Sequence, residues 1–168
     1  PPVVDPLVKE ECGSCHIAFA PSMLPARSWK RMIANLNDHF GDDASVDADT
    51  AARISSYLVT NAADTGGKRY SSKLLRGLAP NSAPLRITEL PKWVSEHREV
   101  PAWEWKHKDV RTKANCVACH ADAERGADAG DEAAEFPGRH FPDFNVNSPP
   151  AFMHPHHAAP EWRAARQG

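Results

Sequence analysis

Cys12-Gly13-Ser14-Cys15-His16 lies near the start of the chain, and Cys116-Val117-Ala118-Cys119-His120 repeats its pattern two-thirds of the way along. These are the only four cysteines. Each pair has two residues between its members and a histidine directly after the second. That is the attachment sequence of a c-type haem, present twice. The chemistry explains the spacing. Two thioether bonds must reach the two vinyl groups on one edge of the porphyrin, and cysteines three apart on a helical turn lie on the same side. The next histidine then comes under the ring as proximal iron ligand. The expected cofactors are therefore two haem c groups, bound through Cys12, Cys15, Cys116 and Cys119, with His16 and His120 on the irons.

Other uses of paired cysteines fit less well. A four-cysteine zinc site has its pairs roughly 15–20 residues apart, far closer than here. A thioredoxin-like redox pair stands alone in a βαβ setting. Two disulfides stay open for an exported chain. Chance placement of a histidine after both pairs is on the order of one in several hundred for this histidine usage.

Composition sets the frame. The chain has 168 residues, 41% hydrophobic and 25% charged, with a formal net charge of -2. No strong field argues for nucleic acid. No apolar run approaches the roughly 18 residues of a membrane span. The 15 prolines make short helices and many connections the expectation. Covalent haem attachment of this kind occurs outside the energy-transducing membrane. The start at Pro1-Pro2-Val3-Val4-Asp5-Pro6 reads as the trimmed end of an exported protein, so the expected location is the bacterial periplasm.

The expected fold is mostly α with much coil. It divides near residue 80 into an N-terminal haem domain, 1–80, and a less regular haem domain with an irregular tail, 81–168. In the first half, Lys9 to Phe19 carries the haem motif as a helix. Ser28 to Phe40 places Trp29, Met32, Ile33, Leu36 and Phe40 at helical spacing, and Gly41 is its stop. Asp47 or Ser45 caps a third helix with Ile54, Tyr57 and Leu58 as its stripe. This is the size and order of a small cytochrome c domain. Gly66 to Arg86 reads as an irregular connection. In the second half, Pro91 starts a short helix with Leu90, Trp93, Val94 and His97 on one face, and Pro101 ends it. Ala102 to Trp105 makes one turn. Lys113 to Arg125 is a helix stopped by Gly126. Asn145 to Gly168, rich in proline, wraps the surface or is partly disordered.

The sixth iron position separates a carrier from a catalyst. Its candidates are His39, His97, His107, His140, His154, His156, His157, Met23, Met32 and Met153. His39 follows Leu36 and Met32 on the apolar side of the expected helix. An unpaired imidazole there is costly, and a metal bond relieves it. Met23 and Met32 are its rivals. His97 lies on the Leu90 and Trp93 stripe. His107, between Lys106 and Lys108, reads as a surface residue. Trp93, Trp103 and Trp105 read as haem-pocket packing.

With these residues assembled, the chain resembles the dihaem cytochrome c family, DHC. The matching stretches are Glu11-Cys12-Gly13-Ser14-Cys15-His16, Leu24-Pro25-Ala26-Arg27-Ser28-Trp29 and Asp38-His39-Phe40-Gly41-Asp42. In the second half they are Ile87-Thr88-Glu89, His97-Arg98-Glu99-Val100-Pro101 and Ala114-Asn115-Cys116-Val117-Ala118-Cys119-His120. The resemblance covers roughly residues 8 to 141 and leaves Asn145 onward unmatched. It implies an N-terminal domain like a class I cytochrome c and bis-histidine ligation, with His39 and His97 at the family's distal positions. It implies a periplasmic carrier passing electrons between a membrane cytochrome b and a small oxygen-binding monohaem cytochrome.

The functional expectation is an electron-transfer protein, not an enzyme. Its potentials should be low, since methionine ligation raises them. The rivals are a dihaem subunit of a periplasmic reductase complex, and a peroxidase or reductase with one open iron. Asp38, Asp42, Asp43, Asp47 and Asp49 beside His39, against Lys68, Arg69, Lys73, Arg76 and Arg86, suggest a dipole that orients the protein toward a redox partner.

Overall fold

The computed structural model describes residues 2–65 and 73–120, together with residue 123. Among the described residues there are helices, turns and coil but no strand; the single bridge joins His39 to Asp42. The expected mostly α class with much coil is what forms.

Helix α1 spans Pro6–Gly13. Asp5 caps it by accepting the Val8 N–H at 3.1 Å, and Pro6 stands where its missing N–H costs nothing. The expected helix over Lys9 to Phe19 therefore begins earlier and ends sooner. Ser14 Oγ donates to the Glu11 carbonyl at 3.2 Å, and Cys15 and His16 follow in a bend. A hydroxyl that bonds the backbone three residues back competes with helix continuation.

Helix α2, Ala26–Ile33, is preceded by Pro25. Its cap comes from far along the chain: Asp64 Oδ1 accepts the Ala26 N–H at 2.7 Å, and Arg27 Nη1 pairs with the same carboxylate at 3.2 Å. The expected extension to Phe40 does not form. Asn35 leaves helical geometry (φ -135, ψ 38), its side chain bonds the Asp38 carbonyl, and a 3-10 turn covers Leu36–Asp38. Leu-Asn-Asp offers the backbone too many side-chain partners to hold an α-helix.

Helix α3, Ala48–Thr60, is the longest among the described residues. Asp47 Oδ1 accepts the N–H of Asp49 and Thr50, both at 3.0 Å, so Asp47 rather than Ser45 is the cap. Ile54 and Leu58 are buried as their stripe requires, and half-buried Tyr57 accepts the Val4 N–H. α2 lies mainly against α3, which also meets α1 and the 3-10 turn Pro21–Met23. Buried Trp29 donates its indole N–H to the Pro21 carbonyl at 2.8 Å.

Helix α4 spans Pro91–Glu96. Leu90, fully buried, anchors its start in the same core as Val8, Leu24, Trp29, Ile54, Leu58 and Leu74. Two expectations change here. Val94 is 51% exposed, so the stripe is narrower than four residues, and His97 lies one residue beyond the helix. A 3-10 turn at Glu104–Lys106 takes the place of the turn expected over Ala102 to Trp105. Where helix is expected from Lys113, the described residues up to His120 form a 3-10 turn, Cys116–Ala118. Asn115 is the cause: its side-chain amide donates to the carbonyls of Asp109 and Val110, binding this segment to the loop before it. Residues 124–126, including the Gly126 stop, lie outside the described residues, as do residues 66–72 of the connection and the tail from Asn145 with its histidines and Met153.

Within the connection, Leu74 reaches the core. Arg27 and Arg31 of α2 donate to the carbonyls of Ala79, Ser82 and Ala83. Helix α2 thus holds the start of the second half with its own side chains.

Asp64 combines a helix cap with an ion pair, and the two are separable. Asp64→Ala should destabilise the protein by about 1–2 kcal/mol through lost capping. Asp64→Asn keeps the accepting oxygen and loses only a partly exposed pair worth about 0–1 kcal/mol. Denaturant midpoints at constant slope would check this order.

Candidate metal centres

The first centre is assembled from the end of α1 and the turn after α2. Cys12 lies half-buried against the core, and Cys15 is exposed in the bend that follows. His16 holds its Nδ1 2.7 Å from the Ile17 carbonyl, and its ring lies beside Phe19. His39 approaches from a tight hairpin. Its N–H donates to the Asp42 carbonyl at 2.8 Å and its carbonyl accepts the Asp42 N–H at 3.3 Å. Phe40 and Gly41 between them have φ of 59° and 102°. Two left-handed residues in succession form the turn that glycine favours in hairpins, and Phe40 is strained there. Asp38 accepts the Gly41 N–H, and the Arg86 guanidinium lies 3.8 Å from the centre of the Phe40 ring. Burial holds His39 below the usual imidazole pKa, aided by the nearby charges of His16 and Arg86 and opposed by Asp42. A neutral imidazole is the form that binds a metal.

The second centre is built from the end of α4 and the segment after Arg111. His97 Nδ1 is 2.9 Å from the Trp93 carbonyl. Its ring stacks on the Trp93 indole, with centres 4.1 Å apart and planes 13° from parallel. Trp105 flanks both rings, and the Lys113 ammonium lies 5.6 Å from the Trp105 ring centre and 5.9 Å from that of Trp93. His120 follows Cys119 and returns its N–H to the Cys116 carbonyl at 2.8 Å. Burial raises the thiol pKa of Cys12 and of Cys116, with the charge of Glu11 adding to it at Cys12.

The four candidate histidines come together as two pairs. His16 and His39 have ring centres 6.1 Å apart, with planes 26° from parallel. His97 and His120 also have ring centres 6.1 Å apart, with planes at 75°. An imidazole nitrogen binds a transition metal at about 2 Å and lies about 1 Å from its ring centre, so an ion between two such rings separates their centres by about 6 Å. Both pairs meet that requirement. At His16 and His97 the Nδ1 side is occupied by a backbone carbonyl, which leaves Nε2 for a metal. The residues present therefore fit a haem iron at each pair.

The competing uses do not assemble. No two of the cysteines are joined in a disulfide, and among the described residues no three histidine, cysteine or acidic side chains converge on one point. Exposed His107 turns to its own loop, with Nδ1 accepting the Asp109 N–H and lying 3.6 Å from the Asp109 carboxylate. Met23 and Met32 pack at the edge of the core, Met32 also lining the crevice beside His39. Arg86, Phe40 and the double contact of Trp93 are features that sequence reasoning missed. Phe40-Gly41 was the available signal: it marks a hairpin turn as readily as a helix stop.

A family model described as Dihaem cytochrome c matches residues 8–127. A search of curated proteins found no match. Among solved structures, the chain is similar to a diheme cytochrome c from Rhodobacter sphaeroides, at 46% identity and a TM-score of 0.68, over 74% of this chain and 97% of that one. It is also similar to a diheme cytochrome type c from Shewanella baltica OS155, at 35% identity and a TM-score of 0.59, over 72% of this chain and 84% of that one.

Substitution should separate the two pairs. His39→Ala should turn the first iron high-spin and leave the second unchanged, and His97→Ala should do the converse. His107→Ala should leave both low-spin. Visible and EPR spectra of the three variants decide the assignment, and a high-spin His107→Ala protein would overturn it.

Proposed function

The chain belongs to the dihaem cytochrome c family, and on that premise we propose that it is an electron carrier in which two histidines close each iron. Membership in the family brings two haem c groups and implies electron transfer. In this reading Cys12 and Cys15 hold the first haem and Cys116 and Cys119 the second. His16 and His39 would bind the first iron, and His97 and His120 the second. The observation that carries it is the recurrence of one separation, 6.1 Å, between two imidazole pairs built from unlike local structure.

When bound, the haems supply a one-electron couple at each iron. The chain's own residues do the rest. Carbonyls of Ile17 and Trp93 hold the Nδ1 protons of His16 and His97, fixing ring direction and raising ligand basicity. Histidine in both sixth positions keeps the potentials low. An iron closed on both faces has no place for a substrate, so the protein is a carrier rather than an enzyme. The chain divides near residue 80 into a cytochrome c-like domain, 1–80, and a second haem domain, 81–168. It works in the periplasm, between a membrane cytochrome b and a small oxygen-binding monohaem cytochrome. No described helix is long and apolar enough to cross a membrane.

Carbon monoxide tests closure. The reduced protein should bind it poorly at both haems. Rapid stoichiometric binding at either one would favour an open, catalytic iron.

A second experiment tests docking. Asp38, Asp43 and Asp47 each accept a backbone N–H in a turn or cap, so they shape the chain beside His39 as well as charge it. Hydrogen bonds from Ser45 and Thr50 hold the Asp43 and Asp47 carboxyls below their usual pKa, so both stay ionised at neutral pH. Asparagine keeps the accepting oxygen and removes the charge. Electron transfer to the partner should slow as salt rises toward physiological strength, where the Debye length is about 8 Å. The triple variant Asp42→Asn, Asp43→Asn, Asp49→Asn should flatten that dependence. A stopped-flow rate equally steep in both proteins would remove these charges from the docking surface.

A further inference from the structure

The two histidine pairs share a separation but not an orientation: their planes meet at 26° in the first and at 75° in the second. Resting on the bis-histidine reading, we propose that Trp93 is a positioning residue that sets the plane of His97 crosswise to His120 and so makes the second haem electronically distinct from the first.

Rotation of an imidazole about its bond to iron is soft, so its plane is set by what touches the ring. His97 is held twice by one residue. The Trp93 carbonyl, 2.9 Å from Nδ1, fixes the direction of the ring. The Trp93 indole, stacked at 4.1 Å and 13°, fixes its plane. Trp93 is itself held, since it packs against the core and meets Trp105 at 5.7 Å. Among the described residues the first pair has no such partner. Phe19 is tilted 33° from His16, and Phe40 stands at 61° to His39. Neither ring there lies flat on a neighbour, and the pair stays near parallel.

Ligand planes act on the iron through its π-type d orbitals. Near-parallel imidazoles split these orbitals and give a rhombic low-spin ferric EPR signal. Crossed imidazoles leave them nearly equal in energy and give a highly anisotropic signal with a large maximal g value. The folded, haem-loaded protein should therefore show one signal of each kind.

Trp93→Leu removes the indole and keeps the carbonyl, so it isolates the stack. It should shift the anisotropic signal toward the rhombic form and leave the other signal in place. Trp93→Phe retains a flat ring and should retain the anisotropic signal. A second haem that turns high-spin in Trp93→Leu and returns to low-spin in Trp93→Phe would equally assign the positioning to the ring. Two rhombic signals in the unsubstituted protein, or unchanged signals in Trp93→Leu, would overturn the proposal while leaving bis-histidine ligation intact. A high-spin haem in the unsubstituted protein would instead overturn the ligation reading and this inference with it.

Discussion

The separation between two imidazoles is the constraint around which this fold is arranged. On the proposed bis-histidine reading a helix cannot supply it alone, because ligands on opposite faces of a haem must arrive from different directions. The chain meets the demand twice in opposite order. In the first pair the histidine of the cysteine motif, His16, comes first and His39 follows; in the second, His97 comes first and His120, of the motif, follows. The halves are therefore not copies of one unit. They are two solutions that bring imidazoles to one separation, and the turns, caps and arginine contacts keep each pair at its spacing.

Those solutions draw on different resources. The first rests on helices that supply most of the buried core: Val8, Leu24, Trp29, Ile54 and Leu58 are each under 5% exposed. Beyond Leu90, Val110 is the only described hydrophobic residue that is buried. A segment so poor in core gains little stability from its own side chains. Covalently held haem fits this need, since a large flat apolar group acts as core and staple at once. The rings of Trp93, His97 and Trp105 form the wall against which such a group packs.

Much of this was legible in the sequence, and the limits have a common cause. The paired cysteine motifs, the α3 helix with its Asp47 cap and the Pro91 start all follow from local chemistry that nothing distant opposes. Helices expected around both motifs and through His39 instead broke into turns, each where a short polar side chain bonds the backbone: Ser14 to Glu11, Asn35 to Asp38, and Asn115 to Asp109 and Val110. Hydrophobic spacing cannot register such bonds. His39 thus reaches His16 from a strained hairpin rather than from the apolar face of a helix. The cap of α2 was illegible for another reason: Asp64 lies far away in sequence, and only the fold brings it there.

The strain at Phe40 is informative because of where it is tolerated. A phenylalanine at positive φ persists only when its surroundings over-determine it. Here the Asp38 carboxylate holds the Gly41 N–H, the hairpin bonds hold His39 and Asp42, and Arg86 covers the ring. Arg86 comes from the connection that Arg27 and Arg31 already hold through its carbonyls. One side chain of that connection therefore bears on the turn that carries His39, and the same connection leads through Leu90 into the helix that ends just before His97. For a carrier this continuity has a direct benefit. A site fixed before the electron arrives needs little rearrangement when the charge changes, which is the advantage of any preorganised polar environment.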